Sequence, residues 1–121
     1  SKNQMFSGSG EVPYVKVYNL SFDGTLDFSR DPTFVSEDTH RRILARSECV
    51  PGDVLMNIVG PPLGKISIVP TTYPQWNINQ AIARYRPVEG IEARYLATVL
   101  LEETALRWAV TRAKATAGQF N

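Results

Sequence analysis

Two short stretches of the chain carry residues whose types and spacing could contact a nucleic acid. The first is the loop from Gly60 to Gly64, which is followed directly by Lys65. Its glycines allow backbone amides to approach another molecule closely, and Lys65 adds a cation that could reach a phosphate. The stretch is not a P-loop, because Lys65 leads into an apolar strand-like run and not into a helix. The alternative is that the glycines only shape a hairpin.

The second stretch is the polar and aromatic loop 71–79. Its candidate binding residues are Tyr73, Gln75, Trp76, Asn77 and Asn79. If 75–79 is extended, its period of two places the three amides on one side. Side-chain amides can pair with N6 and N7 of adenine in the major groove, so this loop is the candidate for reading bases if the chain binds DNA. The alternative is that the amides satisfy backbone groups in a turn and that Trp76 fills the core.

Basic residues outside these loops are candidates for contacts to phosphate. They are Arg42, Arg46, Arg112 and Lys114. In a helix that runs from an N-cap at Ser36 to about Arg46, Arg42 and Arg46 would share a face one turn apart. The alternative is a solvated helix face that pairs with Glu37 and Asp38.

No pattern in the chain is typical of a catalytic site. There is no Gly-x-Ser-x-Gly elbow, no zinc-ligand spacing and no dinucleotide-binding Gly-x-Gly-x-x-Gly motif. His40 is the only histidine, and no second histidine or cysteine stands near it at ligand spacing. We therefore expect no catalytic residue, no metal site, no cofactor and no enzymatic activity.

Composition favours one soluble domain in a reducing compartment. The 121 residues include 13 basic and 12 acidic side chains, so the net charge is +1 and any nucleic-acid function needs locally sorted charge. The single cysteine, Cys49, excludes an internal disulfide, and we expect it to be buried. No apolar run reaches the length of a membrane span, so we expect a cytoplasmic protein without a membrane partner.

Periodicity predicts a mixture of short strands and helices after a flexible start at 1–11. Apolar strands are expected on both sides of the glycine loop, at Asp53–Val59 and Lys65–Val69. The first of these should be covered on both faces, because both are apolar. The other predicted elements are strands at 12–20, 25–28, 33–35 and 77–86, and helical sequence from 91 to about 114, perhaps as two helices, ended by Ala117-Gly118.

Seven segments follow one another in a recognisable order and spacing: VPYVKVYNL, DGTLDF, VPGDVLMNIVG, PLGKISIVP, NINQAIARYRP, YLATVLL and KATAGQFN. In this ordered set the chain resembles the target recognition domain of a type I restriction–modification specificity subunit. The resemblance covers 12–121. It implies an α+β fold, with a partly open β-barrel-like core and peripheral helices, that reads one part of a split target in double-stranded DNA. The implied partners are the modification subunit, which supplies the methyltransferase, and the restriction subunit. In the family, residues like AGQFN lead to a spacer helix, so we expect 12–121 to be one domain of a larger specificity subunit.

Two alternatives remain at this point. The chain is also similar to recognition domains of stand-alone adenine methyltransferases and of combined restriction-methylation enzymes. A different class would be a protein-interaction module without a nucleic-acid role, in which Tyr73 and Trp76 form an apolar anchor.

Overall fold

The computed structural model describes residues 5–7, 11–59 and 64–118, and side chains within 11–59 and 64–107. The strands of this part are β1 (Met5–Ser7), β2 (Val12–Val15), β3 (Thr33–Val35), β4 (Glu48–Cys49), β5 (Val54–Asn57), β6 (Ile66–Ile68), β7 (Trp76–Ile78) and β8 (Ile82–Tyr85). The helices are α1 (Glu37–Arg42) and α2 (Ala93–Gly118), with 3₁₀ helices at Val17–Asn19 and Ala45–Ser47. No helix in the described part of the chain combines the length and the apolar character that crossing a membrane requires.

The larger sheet has the strand order β1-β3-β2-β7-β4. Strand β2 is its centre, antiparallel to β3 and parallel to β7. In β7, Asn77 lies between Tyr14 of β2 and Glu48 of β4. All three residues of β7 are buried, so this strand is covered on both faces.

The smaller sheet has the antiparallel order β6-β5-β8 and holds the predicted hairpin around the glycine loop. On one face of β5, Val54 packs with Ile66 and with Ala97 of α2. On the other face, Leu55 packs into the main core beside Trp76. The prediction that this strand is covered on both faces is therefore confirmed for Val54–Asn57. Ile58 and Val59, which the predicted strand included, lie beyond β5 and are exposed.

Four aromatic rings close the main core next to the larger sheet. Phe28 contacts Phe34 and Trp76 edge to face, with ring centroids 5.3 and 5.4 Å apart. Tyr73 contacts Trp76 in the same way at 5.6 Å. The indole of Trp76 also donates a 3.0 Å hydrogen bond to the Tyr73 carbonyl, which satisfies its one polar group.

The α+β class is confirmed, since the structure has two sheets and one long helix, and α2 packs on the smaller sheet. The described strands do not form a closed barrel, and the barrel-like core is not confirmed. The segment before β3 does connect to the smaller sheet: Ser21 and Gly24 accept hydrogen bonds from the amides of Ile66 and Ile68 in β6. The contact is made through irregular backbone and one isolated bridge, between Gly24 and Ser67.

Several predicted elements are shorter or divided in the structure. The predicted strand 12–20 is β2 followed by a 3₁₀ helix, in which Asn19 accepts from the amide of Lys16. The predicted strand 25–28 is wrong; only an isolated bridge at Leu26 forms there. Asp23 and the Asn19 side chain bond to the backbone of Thr25 and Asp27, and such local bonds compete with a strand ladder.

The predicted strand 77–86 is divided between the two sheets. Asn79 accepts a 2.9 Å hydrogen bond from the amide of Ala81 through its side chain, and its carbonyl accepts from Ile82. This turn ends β7 and starts β8. By contrast, the predicted helical sequence from Ile91 forms the single helix α2 rather than two helices. It begins at Ala93, and its end at Gly118 agrees with the prediction.

The predicted helix after Ser36 begins as expected and ends early. Ser36 accepts from the amide of Thr39 at 3.1 Å, as an N-cap should. The helix stops at Arg42, because the amides of Ile43 and Leu44 both bond to the Thr39 carbonyl. The shared helical face expected for Arg42 and Arg46 is therefore wrong.

Candidate nucleic-acid interface

A cleft of about 290 Å³ opens where α1, β4 and β8 meet the loop that precedes β7. We call it the basic cleft, after the polar side chains that line it: His40, Arg41, Glu48, Gln75, Arg84 and Arg86. Three of these are arginines and only one is a carboxylate. Such a surface suits an anionic group, because arginine binds phosphate and carboxylate through several parallel N–H donors.

Arg86 is held in place by a buried carboxylate. Its Nε and Nη2 donate to the two oxygens of Asp53 at 2.7 and 2.8 Å, and this bond raises the pKa of the guanidinium. Asp53 follows the predicted turn at Pro51-Gly52, where Gly52 has a φ of +94°. The Asp53 side chain is 1% exposed and that of Arg86 is 52% exposed, so the guanidinium is anchored at one edge and open at the other.

Arg84 and Arg41 are also tethered and exposed. Arg84 donates through Nη1 to the carbonyl oxygen of Glu48. Arg41 pairs with Glu37 at 2.9 Å one helical turn away, and its side chain is 60% exposed. Since a guanidinium has five N–H donors, each of these groups keeps donors for a ligand after its own contact is made.

Next to the cleft lies a set of polar groups that are joined through Asn77, and we call it the closed cluster: His40, which also lines the cleft, Leu44, Ser47 and Asn77. The Asn77 amide donates to the Leu44 carbonyl at 2.9 Å and contacts Nδ1 of His40 at 3.0 Å. Its oxygen accepts from the Ser47 hydroxyl and from the amide of Ile78. Because the amide oxygen is occupied by donors, its nitrogen faces His40, which assigns Nδ1 as an acceptor and places the proton on Nε2.

The electrostatics of His40 follow from its burial. Its Nε2 lies 3.7 Å from Oε2 of Glu48, which favours the charged form. Burial nevertheless lowers the pKa of His40 below its ordinary value, and it outweighs Glu48. The ring is therefore neutral at neutral pH, and the positive charge of the basic cleft comes from its arginines.

Gln75 differs from every other described residue in one respect. Its Oε1 is buried and receives no hydrogen bond, and it is the one side-chain polar atom in the described part of the chain in that state. The residue lines the basic cleft beside Arg84 and Arg86.

The predicted reading loop is divided between the cleft and the interior. Gln75 lines the cleft, but Trp76 and Asn77 have no exposed surface and Tyr73 is only partly exposed. Asn79 holds the turn that separates β7 from β8. For Asn79 the structure corresponds to the alternative in which the amide satisfies a backbone group in a turn, and for Trp76 to the core alternative. Asn77 lies in β7 and bonds to groups that are distant in the chain.

The glycine loop lies only partly within the described residues. Gly60 is outside them. Gly64 has a φ of +96°, which favours glycine, and an added Cβ would lie 3.3 Å from the Thr104 side chain, so the residue also packs closely against α2. Lys65 is half-buried, with Nζ 5.8 Å from the centre of the Phe22 ring, and its amide donates to Asn57.

Of the basic residues predicted to contact phosphate, those with described side chains, Arg42, Arg46 and Lys65, do not line the cleft. Arg42 pairs with Asp38 at 2.9 Å on the exposed side of α1. Arg46 is exposed in the 3₁₀ helix, next to Ala45, which lines the cleft. Arg112 and Lys114 belong to α2, but their side chains lie outside the described ones.

Sequence reasoning missed Arg41, Arg84 and Arg86 as members of one site. A signal was present for the last two: positions 84 and 86 are two apart, which places both side chains on one face of extended backbone. Nothing local indicated that Arg41 would join them, because that depends on how α1 packs.

Cys49 is buried as predicted, and burial together with nearby Asp53 raises the pKa of its thiol to about 12. Among the described residues, no group of histidine, cysteine and acidic side chains could hold a metal ion. No protein-family model matches the chain, and no curated protein matches it in sequence.

Proposed function

We propose that this chain is a non-catalytic target recognition domain that binds double-stranded DNA and reads one part of a split target for a type I restriction–modification enzyme. The resemblance over 12–121 supports this proposal, including the partly open barrel-like core that it implies. The structural observation that carries it is the basic cleft, which is lined by three exposed arginines and one carboxylate. Glu37 and Asp53, outside the lining, pair with two of these arginines, and each guanidinium keeps further N–H donors for a ligand.

The arginines of the cleft would position DNA by contacts to phosphate, while other groups read the bases. Phosphate contacts fix the register of a protein on the duplex but carry no sequence information. Arg86 and Arg84 are pre-organised for this role, because contacts to Asp53 and to the Glu48 carbonyl already hold their side chains. Less conformational entropy is then lost when DNA binds.

In the parent complex, a modification subunit would supply methyl transfer and a restriction subunit would supply DNA cleavage, in the cytoplasm and without a membrane partner. The same cleft would serve a recognition domain of a stand-alone adenine methyltransferase or of a combined restriction-methylation enzyme. The protein-interaction alternative has less support, because the proposed anchor Trp76 is fully buried.

The test is the salt dependence of duplex DNA binding by the 121-residue chain and by two matched variants. Arg41→Ala removes a cleft arginine that pairs with a carboxylate four residues before it. Arg107→Ala removes an arginine with an equivalent pair on α2, away from the cleft. Each phosphate contact contributes about −0.9 to the slope of log affinity against log salt.

We expect Arg41→Ala to reduce the steepness of that slope by about one unit and Arg107→Ala to leave it unchanged. Equal effects of the two variants on the slope would show that the cleft does not belong to the DNA-binding interface. Absence of any binding to duplex DNA by the unsubstituted chain at low salt would overturn the proposed function.

A further inference from the structure

The unsatisfied oxygen of Gln75 is the feature from which the inference starts. A buried acceptor without a donor costs free energy, and such atoms are rare in folded proteins. Here the atom belongs to a residue that lines the basic cleft, beside Arg84 and Arg86. A ligand that brings an N–H donor into the cleft would remove that cost.

The other amides near β7 cannot offer this acceptor. The oxygen of Asn77 already accepts from Ser47 and Ile78 inside the closed cluster. The oxygen of Asn79 accepts from the amide of Ala81. Of the three amides in the predicted reading loop, only that of Gln75 has an oxygen without a donor.

We infer that Gln75 determines specificity by accepting a hydrogen bond from the exocyclic amino group of a DNA base; this inference rests on the proposed function. In the major groove, N6 of adenine and N4 of cytosine present such a donor, whereas thymine and guanine present acceptors at the corresponding positions. Guanine and thymine would leave the buried oxygen unsatisfied.

Because Oε1 is buried in the free protein, the contact requires the amide to turn toward the cleft. The terminal torsion of glutamine is broad, so this rotation costs little. The arginines beside it are anchored by Asp53 and by the Glu48 carbonyl, and they would hold the neighbouring phosphates while the amide meets the base edge. Backbone positioning and base reading would then come from adjacent residues of one cleft.

The experiment is a selection from a random duplex DNA library with the 121-residue chain, Gln75→Ala and Gln80→Ala. Gln80 is an exposed glutamine on the turn after β7 that does not line the cleft, so it is the matched control. Circular dichroism and thermal unfolding establish that all three proteins fold.

We expect the unsubstituted chain and Gln80→Ala to prefer adenine or cytosine at one target position by about 5- to 150-fold, the range for one good side-chain contact to a base. Gln75→Ala should lose that preference while its affinity for random DNA and its salt slope stay the same. The selected base distinguishes adenine from cytosine as the source of the amino group.

A second measurement isolates the hydrogen bond. At the selected position, adenine is replaced by unsubstituted purine, or cytosine by 2-pyrimidinone, which removes only the exocyclic amino group. The unsubstituted chain should lose as much affinity for this duplex as Gln75→Ala loses for the normal one, and Gln75→Ala should lose nothing further.

Three results would overturn the inference. A preference that survives in Gln75→Ala, or a uniform loss of affinity for every sequence, would exclude Gln75 as the reading residue while leaving the proposed function intact. Absence of DNA binding by the unsubstituted chain would overturn both.

Discussion

Gln75 and Asn77 are two residues apart and carry the same functional group, yet they serve different regions of the molecule. The amide of Asn77 is saturated: its oxygen has two donors and its nitrogen bonds to Leu44 and contacts His40. The oxygen of Gln75 has no donor, and the residue lines the basic cleft. The number of fixed partners, more than the chemical type of the side chain, separates an amide that holds the fold from one that can meet a ligand.

The strand register explains this difference. Asn77 stands in β7 between two neighbouring strands, and its side chain points to the face that α1 and the following turn cover. Gln75 precedes β7, where no ladder partner fixes the backbone. The cleft therefore begins where the sheet ends.

The largest expected difference is that between the alanine variants of Asn77 and Gln75 in the free energy of unfolding. Asn77→Ala should lower the free energy of unfolding by about 2–4 kcal/mol, because it leaves His40, Leu44 and Ser47 without their buried partner. Gln75→Ala should not lower it and should raise it by up to about 1–3 kcal/mol, since no hydrogen bond to its oxygen is lost and a buried acceptor without a donor is removed. Urea unfolding of both variants measures the comparison. Equal losses would mean that the two amides support the fold alike.

Local signals in the sequence predicted the parts of this fold that depend on neighbouring residues. The cap at Ser36, the Pro51-Gly52 turn, strand β3 and the hairpin of β5 and β6 all follow from residues close in the chain. The turn at Asn79 was missed, because a side-chain bond to Ala81 outweighs the strand propensity on either side of it.

The cleft could be predicted only in part, because it is assembled from distant residues. Arg86 bonds to Asp53 33 positions away, and Asn77 meets His40 across 37 positions. The polar loop predicted Gln75 as a candidate but gave no means of separating it from Asn77. That separation depends on how α1 packs against β7, which no local pattern specifies.

An intermediate effect on the free energy of unfolding is expected for two arginines of the cleft: Arg84, which lies in β8, and Arg86, which follows that strand. Arg86→Ala leaves the buried carboxylate of Asp53 without its bidentate partner, so we expect a loss of about 1–3 kcal/mol in unfolding free energy. Arg84→Ala removes only a bond to the Glu48 carbonyl at an exposed site and should cost less than about 1 kcal/mol.

The same urea titrations provide a control through the double variant Asp53→Asn/Arg86→Ala. Removing the buried charge together with its partner should recover part of the loss, because no uncompensated carboxylate remains. If Arg84→Ala were the more damaging single change, the anchoring role assigned to Asp53 would be wrong.

The smallest expected effect is the pH dependence of the free energy of unfolding that arises from His40 in the closed cluster. Burial lowers the pKa of His40 in the folded protein below its unfolded value of about 6.5, whereas Glu48 alone would raise it. As the pH falls through about 6.5, the unfolded chain therefore binds a proton before the folded protein does. Stability should decrease in that window, by at most about 1.4 kcal/mol per pH unit for one proton, and level off below the folded pKa.

Urea unfolding between about pH 7.5 and 5.5 measures this slope, and His40→Asn provides the control, since its amide oxygen can accept from Asn77 without titrating. His40 is the only histidine in the chain, so little else among the side chains titrates in this range. We expect a flatter profile for the variant. Protonation would place a second donor at Nδ1 opposite the Asn77 nitrogen, which explains why the closed cluster excludes the proton. A stability that rises as the pH falls would mean that attraction to Glu48 outweighs burial and that the closed cluster accommodates a protonated His40.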